Sequence, residues 1–250
     1  MILYEYPLNE RVRTLLRLER LFIRLLGLLD RTDPVDHHYA LVTTFEIVDV
    51  SSRADLKMDL LKDLEKQRGV LAGYRGNPAI SEAALEEVLH EIEQAFSGLS
   101  TVAGKAAQSL LENDWLMSIR SRVSIPGGTC EFDLPSYFTW QQLPSAHRQA
   151  DIKRWVAPLF PLFAAIRLLL RLLRENGVMQ KVQAHAGLFQ QNLGSKTFQL
   201  MRLRIDDAAG LVPEITGHRL MVSVRYMQPD ADFRTKASIA DVPFEIALCA

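Results

Sequence analysis

The apolar residues of this chain change their spacing once, and that change decides what the chain can fold into. From about residue 9 to residue 175 they recur at helical intervals, and after Asn176-Gly177 they alternate with a period of two. Helices gathered first and strands gathered last predict an α+β architecture, because a parallel α/β sheet requires the two to alternate. The expected division is an α-helical domain over residues 8–176 and a β-strand domain over 177–250 that also takes up residues 1–7. Ile2-Leu3-Tyr4-Glu5-Tyr6 reads as a short strand ended by Pro7. It has no neighbour among the helices, so it is expected to pair with the C-terminal sheet.

Local signals set the element boundaries. Asn9 is a predicted N-cap, with Glu10 placed in the first turn, where a negative charge suits the helix dipole. That helix should reach Leu29, and Pro34 fits the first turn of a second one running through Val50. Ser52 is expected to open a third, with Leu56, Leu60, Leu61 and Leu64 on one face. Gly76-Asn77-Pro78 breaks the pattern. Ser81 should cap an amphipathic helix whose buried side is Leu85, Val88, Leu89, Ile92 and Phe96, ended by Gly98. Weaker helical stretches follow at 101–111 and 114–122, then a turn at Ser124–Gly128. A helix over 146–175 should bend at Pro158 and Pro161. Strands are expected at 198–205, at 219–226 with Leu220, Val222, Val224 and Tyr226 on the apolar face, and at 243–249.

Several chemistries lack the residues they need. The 250-residue chain is 48% apolar and 24% charged, an ordinary globular composition, and its formal charge of −1 offers no global attraction to nucleic acid or membrane. Two cysteines, Cys130 and Cys249, make no disulfide framework, which suits a reducing cytoplasm; Cys130 is expected to be a small buried thiol. No signal peptide is expected from the first residues. The greasiest run, Trp155 to Ile166, has twelve uncharged residues, short of the roughly 20 that a membrane span needs, and reads as a buried helix. Gly98 to Lys105 fails as a phosphate loop: one residue too many separates its glycines, and Ala106 replaces the metal-binding hydroxyl. There is no GxSxG elbow and no HExxH, and the adjacent His37 and His38 point about 100° apart on a helix. No catalytic residue, cofactor or metal is therefore expected, and the chain is expected not to be an enzyme.

One charge pattern stands out. Arg13, Arg17, Arg20, Arg24 and Arg31 are spaced 4, 3, 4 and 7 apart, which confines them to a stripe about 60° wide on the first helix. Like charges at that spacing repel by a few tenths of a kcal/mol per pair, so helix stability does not explain them. Either an acidic partner faces them, or the stripe is solvated or paired within the molecule, for instance against the glutamates at 82–93. Arg219 and Arg225, beside His218, form a second basic set on one strand face, where guanidinium forks suit a peptide carboxylate.

Five stretches, spread in order over the chain, resemble the ZapD family. They are Leu3-Tyr4-Glu5-Tyr6-Pro7-Leu8-Asn9-Glu10 with Arg13 and Arg17, then Asp59-Leu60-Leu61-Lys62-Asp63-Leu64. Ser124-Ile125-Pro126-Gly127-Gly128-Thr129-Cys130-Glu131-Phe132-Asp133-Leu134-Pro135 is the most distinctive. Ile215-Thr216-Gly217-His218 with Val224-Arg225-Tyr226-Met227, and Phe244–Cys249, complete the set. The resemblance implies a non-enzymatic, cytoplasmic homodimer at the division septum. It would bind the C-terminal peptide of FtsZ and cross-link and bundle FtsZ filaments. By position, Arg53 and Arg225 match basic residues of the peptide pocket, and Arg17 matches one near the subunit contact. His218 and Arg219 join the peptide-binding candidates, while Arg13, Arg20 and Arg24 join Arg17 as candidates for dimer or acidic-partner contacts. Trp115, Phe138 and Met221 depart from the basic residues of the family pattern. The alternative is a nucleic-acid-associated factor using the arginine stripe; near-neutral charge and the lack of a binding motif argue against it, and neither nucleic acid nor membrane is an expected partner.

Overall fold

The computed structural model describes residues 1–52, 56–102, 107–218 and 220–250. Strand β1 (Ile2–Pro7) leads into the helices α1 (Glu10–Leu29), α2 (Pro34–Ser51), α3 (Leu56–Ala72), α4 (Glu82–Ser100), α5 (Gln108–Leu111), α6 (Asp114–Val123), α7 (Pro135–Gln141), α8 (Ser145–Val156) and α9 (Phe160–Glu175). Strands β2 (Gln180–Ala184), β3 (Leu188–Asn192), β4 (Leu200–Ile205), β5 (Val212–His218), β6 (Met221–Pro229), β7 (Thr235–Ala237) and β8 (Val242–Cys249) follow. This is the expected α+β order. By compactness the chain divides into one unit of Met1–Leu16 with Leu170–Ala250 and another of Arg17–Leu169, so α1 and α9 each contribute to both.

In the helical unit the caps explain most boundaries. Asp33 accepts from the Val35 N–H at 2.8 Å and Pro34 starts α2; Ser81 caps α4 through the Ala84 N–H at 3.4 Å. Helix α2 is buried on most sides, and its two buried threonines satisfy themselves: Thr43 and Thr44 donate to the Tyr39 and Ala40 carbonyls at 2.7 and 2.9 Å. Phe22 of α1 stacks on Phe163 of α9 with ring centres 4.6 Å apart. The apolar run around Pro158 and Pro161 is interrupted by a 3-10 turn at Ala157–Leu159 between α8 and α9, and Val156, Leu159, Leu162, Ala165 and Ile166 lie in the core.

Several expectations need correction. Ser52 does not open a helix: its N–H bonds to the Val48 carbonyl and closes α2. Gly98 lies inside α4, which continues to Ser100. Leu61, Val88 and Phe96 are half-buried and Cys130 is half-buried, since each sits at the margin of its buried face or loop. Helix α7 and strands β2, β3, β5 and β7 lie outside the sequence expectations; they are short, and periodicity over three to seven residues carries little signal.

The β unit consists of two antiparallel four-stranded sheets. The first has the order β1-β4-β8-β2, so the N-terminal strand does join it, pairing with β4 from Ile2↔Ile205 to Pro7↔Leu200. In the second, β6 is central, flanked by β5 on one side and by β3 and β7 on the other. The core between them takes alternate residues of each strand: Met201, Leu203 and Ile205 from β4, Val222, Val224 and Tyr226 from β6, and Phe244 and Ile246 from β8. Phe244 meets the Phe189 ring edge-on at 5.2 Å and the Tyr226 ring at 5.4 Å. On the other face of the first sheet, Arg174 grips Glu5 with two bonds of 2.8 and 2.7 Å, and the Arg202 Nε stands 3.2 Å from the same carboxylate. Gly177 is required close by, because a Cβ there would lie 2.5 Å from the Cys249 sulfur.

Candidate functional site

The period-two alternation of β6 buries Val222, Val224 and Tyr226 and turns Arg225 to the solvent. Across the ladder Arg225 stands opposite Leu188 of β3 on one side and Glu214 of β5 on the other. His218 is exposed at the end of β5, opposite Met221, and its Nδ1 accepts from the Leu220 N–H at 3.3 Å. Leu220 therefore belongs to the turn between β5 and β6 and is 59% exposed, a correction to its expected place on the apolar strand face. Arg219 and Arg53, the other expected peptide-binding residues, lie outside the described residues. Of the four, the structure thus describes Arg225 and His218, four ladder positions apart along one sheet face.

The arginine stripe of α1 separates into paired and unpaired members. Arg13 bonds Glu10 at 3.0 Å, and Arg24 bonds both Thr43 at 2.9 Å and Glu46 of α2. Arg31 lies past the end of α1, a correction to its expected place on the helical stripe, and meets Asp36 at 3.4 Å. Arg17 and Arg20 are exposed and form no ion pair among the described residues. The suggested partner helix α4 is engaged elsewhere: Arg75 holds Glu86 through bonds of 2.7 and 3.1 Å, keeping that carboxyl below its usual pKa, and Arg68 bridges Glu65 and Glu93 at 2.6 and 3.2 Å. These pairs clamp α3 to α4, the companion helices of one hairpin.

Two clusters escaped the reading of the sequence. Arg148 of α8 is only 4% exposed, yet no carboxylate among the described residues meets it. Its Nε donates to His37 Nδ1 at 2.9 Å, its Nη1 to the Gln141 carbonyl at 3.0 Å and to that of Leu143, and its Nη2 to the Thr32 carbonyl at 2.6 Å. The far nitrogen of His37 lies 2.9 Å from the Arg31 carbonyl, so the ring is neutral with its proton on Nε2. Burial, then the nearby guanidinium, holds His37 below its ordinary pKa. The second cluster joins the three tryptophans: Trp115 lies 5.8 Å from Trp140 and 5.3 Å from Trp155, and Tyr137 stacks on Trp140 at 5.8 Å. Trp115 and Trp140 donate to Ser136 and Asp151, both at 3.1 Å, and the Tyr137 hydroxyl lies 2.7 Å from His38 Nδ1. No local motif announces either cluster, because their members come from four or five separate elements.

Among the described residues no three His, Cys, Asp or Glu side chains converge as metal ligands would. A groove of about 430 Å³ between α4 and α9 is walled mainly by Ala95, Gly98, Phe160, Pro161 and Ala164, and one of about 350 Å³ between α3 and α4 is filled at its rim by the Arg68 and Arg75 ion pairs.

Comparison with known proteins gives one consistent result. The family profile ZapD, described as a cell division protein, matches residues 16–225. The chain is 54% identical over 250 residues to proteins named "Cell division protein ZapD" from Ralstonia nicotianae and Ralstonia pickettii, with 100% of this chain and 99% of each relative covered.

Proposed function

The chain belongs to the ZapD family of cell division proteins, and from that premise we propose that it is a non-enzymatic, cytoplasmic adapter that binds the C-terminal tail of FtsZ at the septum. As a homodimer it holds two tails from neighbouring filaments and so bundles them. A two-fold dimer supplies two equivalent heads by symmetry. Each contact can be weak, because the second attachment is made at the high effective concentration set by the first.

The observation that carries this reading is Arg225, an exposed guanidinium with no ion pair among the described residues, held on a rigid strand between two neighbours. A planar fork in that setting suits a peptide carboxylate. Arg53 belongs to the same proposal through the family pattern. Arg17 and Arg20, the part of the stripe with no ion pair among the described residues, are assigned to the subunit contact or to an acidic partner surface.

The test is a pull-down with intact FtsZ and with FtsZ lacking its tail. Binding is expected only to the intact protein. Arg225→Ala and Arg53→Ala should each weaken co-sedimentation while leaving the circular dichroism spectrum and the dimer unchanged; equal capture of tailless FtsZ would refute the proposal.

A further inference from the structure

Opposed residues of an antiparallel pair project to the same side of their sheet, so the ladder register sets Leu188, Arg225 and Glu214 side by side across β3, β6 and β5. All three are exposed, and neither charge has an ion-pair partner among the described residues. One step along the strands, Met227 and Val212 form the next outward pair, both half-buried and apolar. A step the other way, Ser223 stands between Gln190 and Thr216, which are polar and uncharged. The face is therefore apolar at one end, polar at the other, and carries one cation and one anion at its centre.

We propose that this face selects an extended peptide bearing an acidic and a basic residue close together with an apolar side chain beside them. Glu214 is the specificity-determining residue for the base, and Leu188 with Met227 and Val212 seats the apolar group. The inference rests on the placement of the FtsZ tail at Arg225 and adds which chemistry of tail fits there. A facing, exposed Arg–Glu couple contributes little when it forms, because solvent screens it, so a peptide displaces it at little cost and gives each member a partner. Neighbouring strands lie about 4.8 Å apart, and same-side residues of an extended peptide about 6.8 Å apart. An acid and a base at alternate positions of the peptide thus reach Arg225 and Glu214 together. A wholly acidic peptide meets repulsion from Glu214, and a wholly basic one meets it from Arg225, so charge complementarity points to a mixed sequence.

The test uses the full-length protein and a fluorescently labelled synthetic peptide of the FtsZ C-terminus, with versions in which each Lys or Arg is changed in turn to Gln. Anisotropy titrations at low salt are expected to show a loss of about tenfold or more for Arg225→Ala and of about threefold to tenfold for Glu214→Gln. The Glu214→Gln effect should vanish on the one peptide whose contacting base has been removed. Leu188→Ser should weaken the parent peptide too. These residues are exposed, and thermal melts of each variant check that the fold persists. If the parent peptide fails to bind, or Arg225→Ala changes nothing, the placement of the tail itself is wrong. If Arg225→Ala weakens binding while Glu214→Gln acts equally on every peptide or on none, the placement stands and the selectivity assigned to Glu214 is overturned. Unchanged affinity in Leu188→Ser removes the apolar seat.

Discussion

Arg148 shows how a single buried side chain can organise loops that the sequence presents as unrelated. Its guanidinium closes the connection before α2 against the connection between α7 and α8 by donating to Thr32, Gln141, Leu143 and His37. Arg148→Ala strands the buried His37 acceptor and frees three carbonyls at the margin of the loops, and a loss of about 1–3 kcal/mol is expected in urea unfolding. The same knot makes stability depend on pH. Unfolded His37 takes up a proton as pH falls through about 6.5, whereas the folded ring resists, since a proton on Nδ1 would face the guanidinium and lose its bond. His38, also held low by burial, adds to the effect. The unfolded state therefore binds more protons below that pH, and stability is full above it and declines as pH falls toward the folded pKa. The melting temperature should drop between pH 7 and pH 5, and His37→Asn, which keeps an acceptor for Arg148 without titrating, should flatten that slope. A melting curve independent of pH in the unaltered protein would contradict the neutral assignment.

At the scale of elements, the boundaries follow local chemistry where a cap or a proline is present and drift where a glycine is read without its surroundings. Asn9 caps α1 as its sequence predicts, with the Val12 N–H at 2.8 Å. Gly98 carries the same letter as a helix terminator but has helical backbone, and the nearest atom to an added Cβ is Pro161 Cβ at 4.0 Å, an ordinary contact. Gly98→Ala is accordingly expected to stabilise the protein by about 0.5–1 kcal/mol, by narrowing the unfolded ensemble and filling free space. A lower midpoint in chemical denaturation would show that the approach of α9 is tighter than this. The arginine stripe is also an element-scale feature: its spacing was legible, but which members are occupied depended on where Glu46 and Asp36 come to lie.

For the whole molecule, the proposed bridging requires two heads and a tail that each can hold. If guanidinium groups carry much of that contact, added salt screens it: the Debye length is about 10 Å at 0.1 M and about 3 Å at 1 M. Light scattering from FtsZ bundles should fall as potassium chloride rises, with the dimer intact by sedimentation across the same range. Bundling indifferent to salt would move the contact energy from the arginines to apolar surface, with Leu188 and Met227 the first residues to test.

The sequence by itself determined the class of fold, the order of helices before strands and most of the buried faces of α3 and α4, because these depend on periodicity and caps that neighbours a few residues apart enforce. It also carried the family, through motifs spread over nearly the whole length. Only the tertiary structure decided that Leu188 and Glu214 flank Arg225, that Arg148 is buried on carbonyls and His37, and that the three tryptophans meet. Those contacts join residues tens of positions apart, or fix which of several alternating residues face one another, and both depend on strand register and helix packing that no local pattern encodes.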